Sequence, residues 1–83
     1  MLLEKADYVI AVAEELNLTR AAQRLYVSQP ALTAYLNRLE SDLGVKLFDR
    51  TKSPVKITPA GSYYIQKIKK LRKELDKLSS EAV

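Results

Sequence analysis

The 83 residues include no cysteine, no histidine and no tryptophan. Without cysteine there is neither a disulfide framework nor a thiolate metal site. Without histidine the usual general base and the commonest metal ligand are both missing. Catalysis would have to rest on Asp, Glu, Lys, Ser or Tyr, and the sequence shows no tight constellation of these. The expectation is a protein that is not an enzyme and has no cofactor or metal. Glycine is scarce as well. Gly44 and Gly61 stand alone, so there is no phosphate-cradling loop of the P-loop or dinucleotide type. Two glycines and three prolines leave few breaks and point to a mainly helical chain. No apolar run approaches the ~20 residues of a membrane span, and nothing resembles a signal peptide. A cytoplasmic protein with no membrane partner is expected.

What is present fits one small folded domain. Hydrophobic residues make up 47% and charged residues 29%, the balance of a chain that buries a modest core. The net charge of +4 is unevenly spread. Residues 1–19 set Lys5 against Glu4, Asp7, Glu14 and Glu15, a net of −3. Residues 46–73 set nine basic side chains against Asp49 alone, a net of +8. Such an asymmetry suits one electropositive side facing phosphates or anionic lipid, although a solvated surface would look the same. The basic stretch Lys67–Lys73 has only a narrow apolar seam, not the broad face that a membrane-surface helix needs.

Along the chain, Ala6, Val9, Ala13 and Leu16, with Ile10 alongside, form a helical stripe. Thr19 is placed to cap a short second helix that buries Ala21, Ala22 and Leu25. Val27 is the turn, and Ser28 caps a third helix with Pro30 in its first turn, where a missing N–H costs nothing. Leu32, Leu36, Leu39 and Leu43 make its buried stripe, and Gly44 is the left-handed residue that ends it. Two helices joined by a very short turn read as a helix-turn-helix. The β-prone segments "KLFDR" and "VKIT", joined by "TKSP", read as a two-stranded wing. Thr58 and Pro59 then open a long helix to about Ser80. Its Gly61, costly in a helix by roughly 1 kcal/mol, implies a close neighbour.

The fold class is therefore a mainly α winged helix-turn-helix of three helices and a two-stranded β wing, followed by a long C-terminal linker helix. The division expected is 1–58 for the winged unit and 59–83 for the linker helix. On that helix Tyr64, Ile68, Leu71, Leu75 and Leu78 form a heptad seam. It would pair with a second copy of the chain, pack back on the first helix, or do both.

The third helix, 28–43, has an outer face with few charges. In a major groove, Ser28, Gln29 and Thr33 are compact hydrogen-bonders at its N-terminal end, and Gln29 can take the adenine edge bidentately. Ala34 can meet a thymine methyl, and Asn37 or Arg38 can reach a base or phosphate one turn on. Thr19 and Arg20 at the start of the second helix, with Arg50 and Lys52 on the wing, complete the DNA-facing set, the basic ones as phosphate contacts. Arg50 has a competing role as the ion-pair partner of Asp49 or Glu40. Lys56 reaches either a phosphate or water.

The first helix ending "AVAEEL", then "LTRAAQRLYVSQPALT", "RLESDLGVKLFDR" and "ITPAGSYY", together resemble the N-terminal DNA-binding domain of LysR-type transcriptional regulators. The likeness runs almost unbroken from Asp7 to about Tyr64. It implies binding of double-stranded promoter DNA at interrupted inverted repeats by a homodimer joined through the linker helix. It also implies that Ser28, Gln29, Pro30, Thr33, Arg38 and the wing around Arg50 lie at the DNA. Two positions depart from the pattern. Ala34 and Tyr35 stand where the family usually has a basic residue and then Gln or His, and Tyr35 either packs beside Leu39 or offers its hydroxyl to a phosphate. The family's small-molecule effector binds in a longer C-terminal region, so a fragment is expected here rather than a naturally short relative. The rival reading is a helix-turn-helix module that never meets DNA and serves protein interaction or dimerisation.

Overall fold

The computed structural model describes residues 6–81, with side chains through residue 78. Glu4 and Lys5 of the charge asymmetry lie outside the described residues. The order is α1 (Ala6–Glu15), α2 (Leu18–Leu25), α3 (Gln29–Leu43), β1 (Phe48–Asp49), β2 (Lys56–Ile57) and α4 (Pro59–Glu81). Among the described residues no helix is long and apolar enough to cross a membrane.

The core is built where α1, α2 and α3 converge. Val9, Val12, Ala21, Leu32, Leu36, Leu47 and Phe48 are all buried there. Ala21 and Ala22 present so little side chain that α2 lies close against its neighbours. The buried face of α1 is broader than the expected stripe, since Ala11 and Val12 are buried and Ala13 is only partly so. Leu16 lies beyond the helix in the left-handed region, at φ 52°. Its carbonyl accepts the Val55 N–H at 3.0 Å, which ties the α1–α2 turn to the wing.

The cap of α2 differs from expectation. Asn17, not Thr19, accepts the Arg20 N–H at 2.9 Å, and Thr19 stands exposed inside the first turn. Both residue types cap well, at about 1 kcal/mol. The register is decided by Leu18, which packs on the core and so draws the helix start two residues earlier. The turning residue is likewise Tyr26 rather than Val27. Tyr26 takes φ 58°, ψ 39°, and the Val27 N–H returns to the Ala22 carbonyl at 3.0 Å. These bonds close a Schellman turn around a residue that is usually glycine.

Helix α3 begins and ends as its sequence requires. Ser28 Oγ accepts the Ala31 N–H at 3.2 Å, Pro30 sits in the first turn, and Gly44 at φ 74° terminates the helix. Leu32, Leu36 and Leu39 are buried, but Leu43 is 40% exposed. The last turn of α3 runs past the end of the core.

The wing is small. Its two strands pair antiparallel, Phe48 with Ile57 and Asp49 with Lys56. So short a ladder is not stable alone. Burial of Phe48, worth about 1.5–3 kcal/mol, fixes one strand in place. Thr58 then caps α4 by accepting the Gly61 N–H at 2.9 Å. Gly61 faces the Leu47 backbone so closely that a Cβ there would lie 2.0 Å from the carbonyl oxygen. Ile65 joins the main core, while Ile68 packs with Ala6 and Ile10 of α1, Tyr64 beside them. Arg72 forms an ion pair with Asp7 of α1. The upper part of the heptad seam is thus used within the chain, whereas Leu71, Leu75 and Leu78 are exposed.

Candidate nucleic-acid interface

The exposed side of α3 is made by its cap and first turns. Ser28, Pro30, Ala34, Asn37 and Arg38 are exposed there, with Gln29 and Thr33 half-buried. Gln29 Nε2 donates to Thr33 Oγ1 at 2.8 Å, one turn away. This bond fixes the Gln29 rotamer while leaving Oε1 and a second N–H for another partner. Two residues before the cap, Tyr26 is 95% exposed at the turn. Tyr35 faces the other way. It packs on the core and meets Tyr8 edge-on at 5.1 Å between ring centroids, and this burial raises its hydroxyl pKa.

The basic residues divide into those held and those standing free of any described ion pair. Arg24 pairs with Glu14 at 2.7 Å and Glu15 at 3.3 Å, and the hydrogen bond it donates to Glu14 is the chief cause of its raised pKa. Thr19 and Arg20 are exposed on the first turn of α2. Lys46, Lys52 and Lys56 are exposed on and beside the wing. At its turn Asp49 accepts from the Thr51 hydroxyl at 2.5 Å and the Thr51 N–H at 3.0 Å. These bonds, the hydroxyl first, hold its carboxyl below the ordinary range.

Arg50 is the residue whose expected role changes most. Its side chain is only 18% exposed, and its guanidinium forms an ion pair with Glu40. It also donates through Nη2 to Asn37 Oδ1 at 2.8 Å. Arg50 therefore holds the ion-pair role, with Glu40 and not Asp49 as partner. Glu40 itself is 3% exposed. Its Oε2 accepts the Leu47 N–H at 2.6 Å and the Phe48 N–H at 3.1 Å. One carboxylate thus joins α3 to the wing. Sequence reasoning placed Glu40 only as a possible partner of Arg50. Its position one residue after Leu39 and four after Leu36, on the buried stripe, was the available signal.

Residues 3–62 match the family model described as bacterial regulatory helix-turn-helix protein, lysR family. The chain belongs to the LysR family. Among its LysR-family relatives is the HTH-type transcriptional regulator ClcR of Pseudomonas putida, 48% identical over 64 residues, 77% of this chain and 22% of ClcR. BenM of Acinetobacter baylyi, also an HTH-type transcriptional regulator, is 39% identical over 80 residues, 96% of this chain and 26% of BenM. The chain thus spans about a quarter of the length of these curated relatives. The crystal structure of a BenM_DBD/benA site 1 DNA complex superposes with a TM-score of 0.90 at 38% identity, covering 99% of this chain and 92% of that one. The winged helix-turn-helix of this LysR-family chain is therefore the fold seen in that complex.

Proposed function

We propose that this chain is the sequence-specific DNA-binding part of a bacterial transcription regulator. The observation that carries the reading is the face of α3 just described. It is rich in small hydrogen-bonding groups, poor in charge, and bordered by free lysines on the wing. Base edges call for the first two features and backbone phosphates for the third. The likeness to a relative's domain solved on DNA supports the same reading. In it Ser28, Gln29, Pro30, Thr33 and Ala34 meet the groove, and Thr19, Arg20, Arg38, Lys52 and Lys56 lie along the phosphates. Residues 1–58 form the reading unit and 59–83 the linker helix, which extends the unit's core by Ile65 and Ile68. The reading gives the chain no catalysis, places it in the cytoplasm with the DNA, and leaves any effector to a region outside these 83 residues.

Titration with duplex DNA at two salt concentrations tests the proposal. A dimer neutralising about six phosphates should lose roughly 1,000-fold in affinity between 50 and 200 mM salt. Gln29→Ala should then reduce the preference for a selected site by about 5- to 150-fold, with random-sequence affinity nearly unchanged. No binding at low salt would leave the protein-interaction reading standing.

The dimer belongs to the same proposal. Leu71, Leu75 and Leu78 are exposed at four- and three-residue spacing, which suits the last turns of a second copy. Leu71→Asp with Leu75→Asp should make the chain monomeric in sedimentation at micromolar concentration, with its helical content intact. A doubly substituted chain that stays dimeric would remove the arm from the interface.

A further inference from the structure

We propose that Asn37 meets the duplex as a hydrogen-bond donor, because Arg50, seated on the buried Glu40, holds its carboxamide oxygen and so fixes which way the amide faces. This rests on the DNA-binding reading and states which side of the Asn37 amide faces the duplex, with Arg50 as its positioning residue.

A guanidinium has five donors and no acceptor. The Asn37 atom that meets Arg50 Nη2 at 2.8 Å must therefore be the oxygen, and the amide cannot turn over without setting two donors against each other. Arg50 is itself fixed, since it pairs with Glu40, whose other oxygen is held by the Leu47 and Phe48 amides. The chain of restraint runs from two backbone amides through a carboxylate and a guanidinium to one exposed amide group. What Asn37 offers outward is Nδ2 and its hydrogens. An unrestrained asparagine binds adenine bidentately, giving one hydrogen bond and taking another. In Asn37 one of the oxygen's two lone pairs is already given to Arg50, and the amide, held in that orientation, turns its NH2 to a partner.

Its partner is therefore an acceptor atom on the duplex. That is a major-groove acceptor such as guanine O6 or N7 or thymine O4, or else a phosphate oxygen. Exposed Asn37 also borders the open groove between the end of α3 and the loop that follows it, where Lys46 stands. Gln29 contrasts with it. Held through Nε2 by Thr33, Gln29 keeps its oxygen and one N–H, and so retains the adenine-type pairing. The two amides on one helix thus read by different chemistry.

The test uses the 83-residue chain and its best site selected from a random duplex pool. Asn37→Ala should lower affinity about tenfold. Asn37→Asp should lower it further, since it keeps a partner for Arg50 but turns an acceptor towards an acceptor. Equal binding by wild type and Asn37→Asp, with both folded by circular dichroism, would overturn the proposal. Site variants separate the two sources of acceptor. A base analogue lacking one major-groove acceptor, or a methylphosphonate at one linkage, should erase the difference between wild type and Asn37→Ala. If no single position of either kind erases it, the proposal falls.

The positioning role has its own readout. In a Glu40→Gln, Arg50→Met background, which removes both charges together, Asn37→Ala should cost less than threefold. A cost still near tenfold would show that Arg50 does not position Asn37. Failure of the wild type to bind any duplex at low salt would overturn the DNA reading itself, and this inference with it.

Discussion

Replacing Glu40 with alanine should lower the stability of the domain by about 3–5 kcal/mol, the cost of breaking a buried ion pair from one side. The intact pair adds little net stability, because desolvating two charges offsets most of their attraction. Its removal is a different matter. Glu40→Ala leaves the Leu47 and Phe48 N–H groups without their acceptor and the Arg50 guanidinium without its carboxylate. Each orphaned amide alone costs about 1–3 kcal/mol. A domain of this size has roughly 4–12 kcal/mol in total, so the variant would fall close to the unfolding threshold. At about 4–8 °C per kcal/mol, the midpoint of thermal unfolding should drop by roughly 15–30 °C. Glu40→Gln, which keeps one acceptor oxygen, should lose less than half as much. A Glu40→Ala midpoint within 5 °C of wild type, roughly 1 kcal/mol, would mean that the wing is held without the Glu40 carboxylate.

Gly61→Ala is the second large effect, and its sign runs against helix propensity. In an open helix the change would add about 1 kcal/mol of stability. Here the new Cβ would lie 2.0 Å from the Leu47 carbonyl oxygen and 2.9 Å from its carbon. Both are backbone atoms, so no rotamer change relieves the contact. That carbonyl also accepts the Thr58 N–H at 3.1 Å, so pushing it away disturbs the start of α4 as well. Overpacking of this kind costs about 1–3 kcal/mol in ordinary cores, and the backbone clash places Gly61→Ala at the upper end. A fall of about 10–20 °C in the melting midpoint is expected. An unchanged or raised midpoint would show that α4 is free to lift from the wing.

The parts of the fold that were legible beforehand depend on neighbours in sequence. Ser28 and Pro30 announce a helix start, Gly44 a stop, and Thr58 with Pro59 another start, because caps act over three or four residues. Gly61 was legible as a close approach, though not what approached it. The departures arise where a distant contact decides. Asn17 and Thr19 are both able caps, and Leu18 entering the core chooses between them. Leu43 keeps the rhythm of its stripe but outruns the core. Tyr64 and Ile68 keep the heptad rhythm too, and of the partners that rhythm allowed they meet α1. In the candidate interface the α3 positions stand out at the surface as their spacing implied, apart from half-buried Gln29 and Thr33. Arg50 could not be placed in that way, since its two roles differ only in whether Glu40, ten residues earlier, points inward.

The way α4 is mounted has a mechanical consequence. Its first turns are keyed into the body by the Gly61 notch and by Ile65 and Ile68. No proline interrupts it between Pro59 and Glu81. At 1.5 Å per residue the helix is a rod of about 35 Å with no joint between its seated and free ends. Torque applied beyond Leu71 is delivered undiminished to the core that supports α3. Two such bodies locked at their rods would keep a constant spacing and angle, like the jaws of a caliper, and would measure the separation of the surfaces they grip.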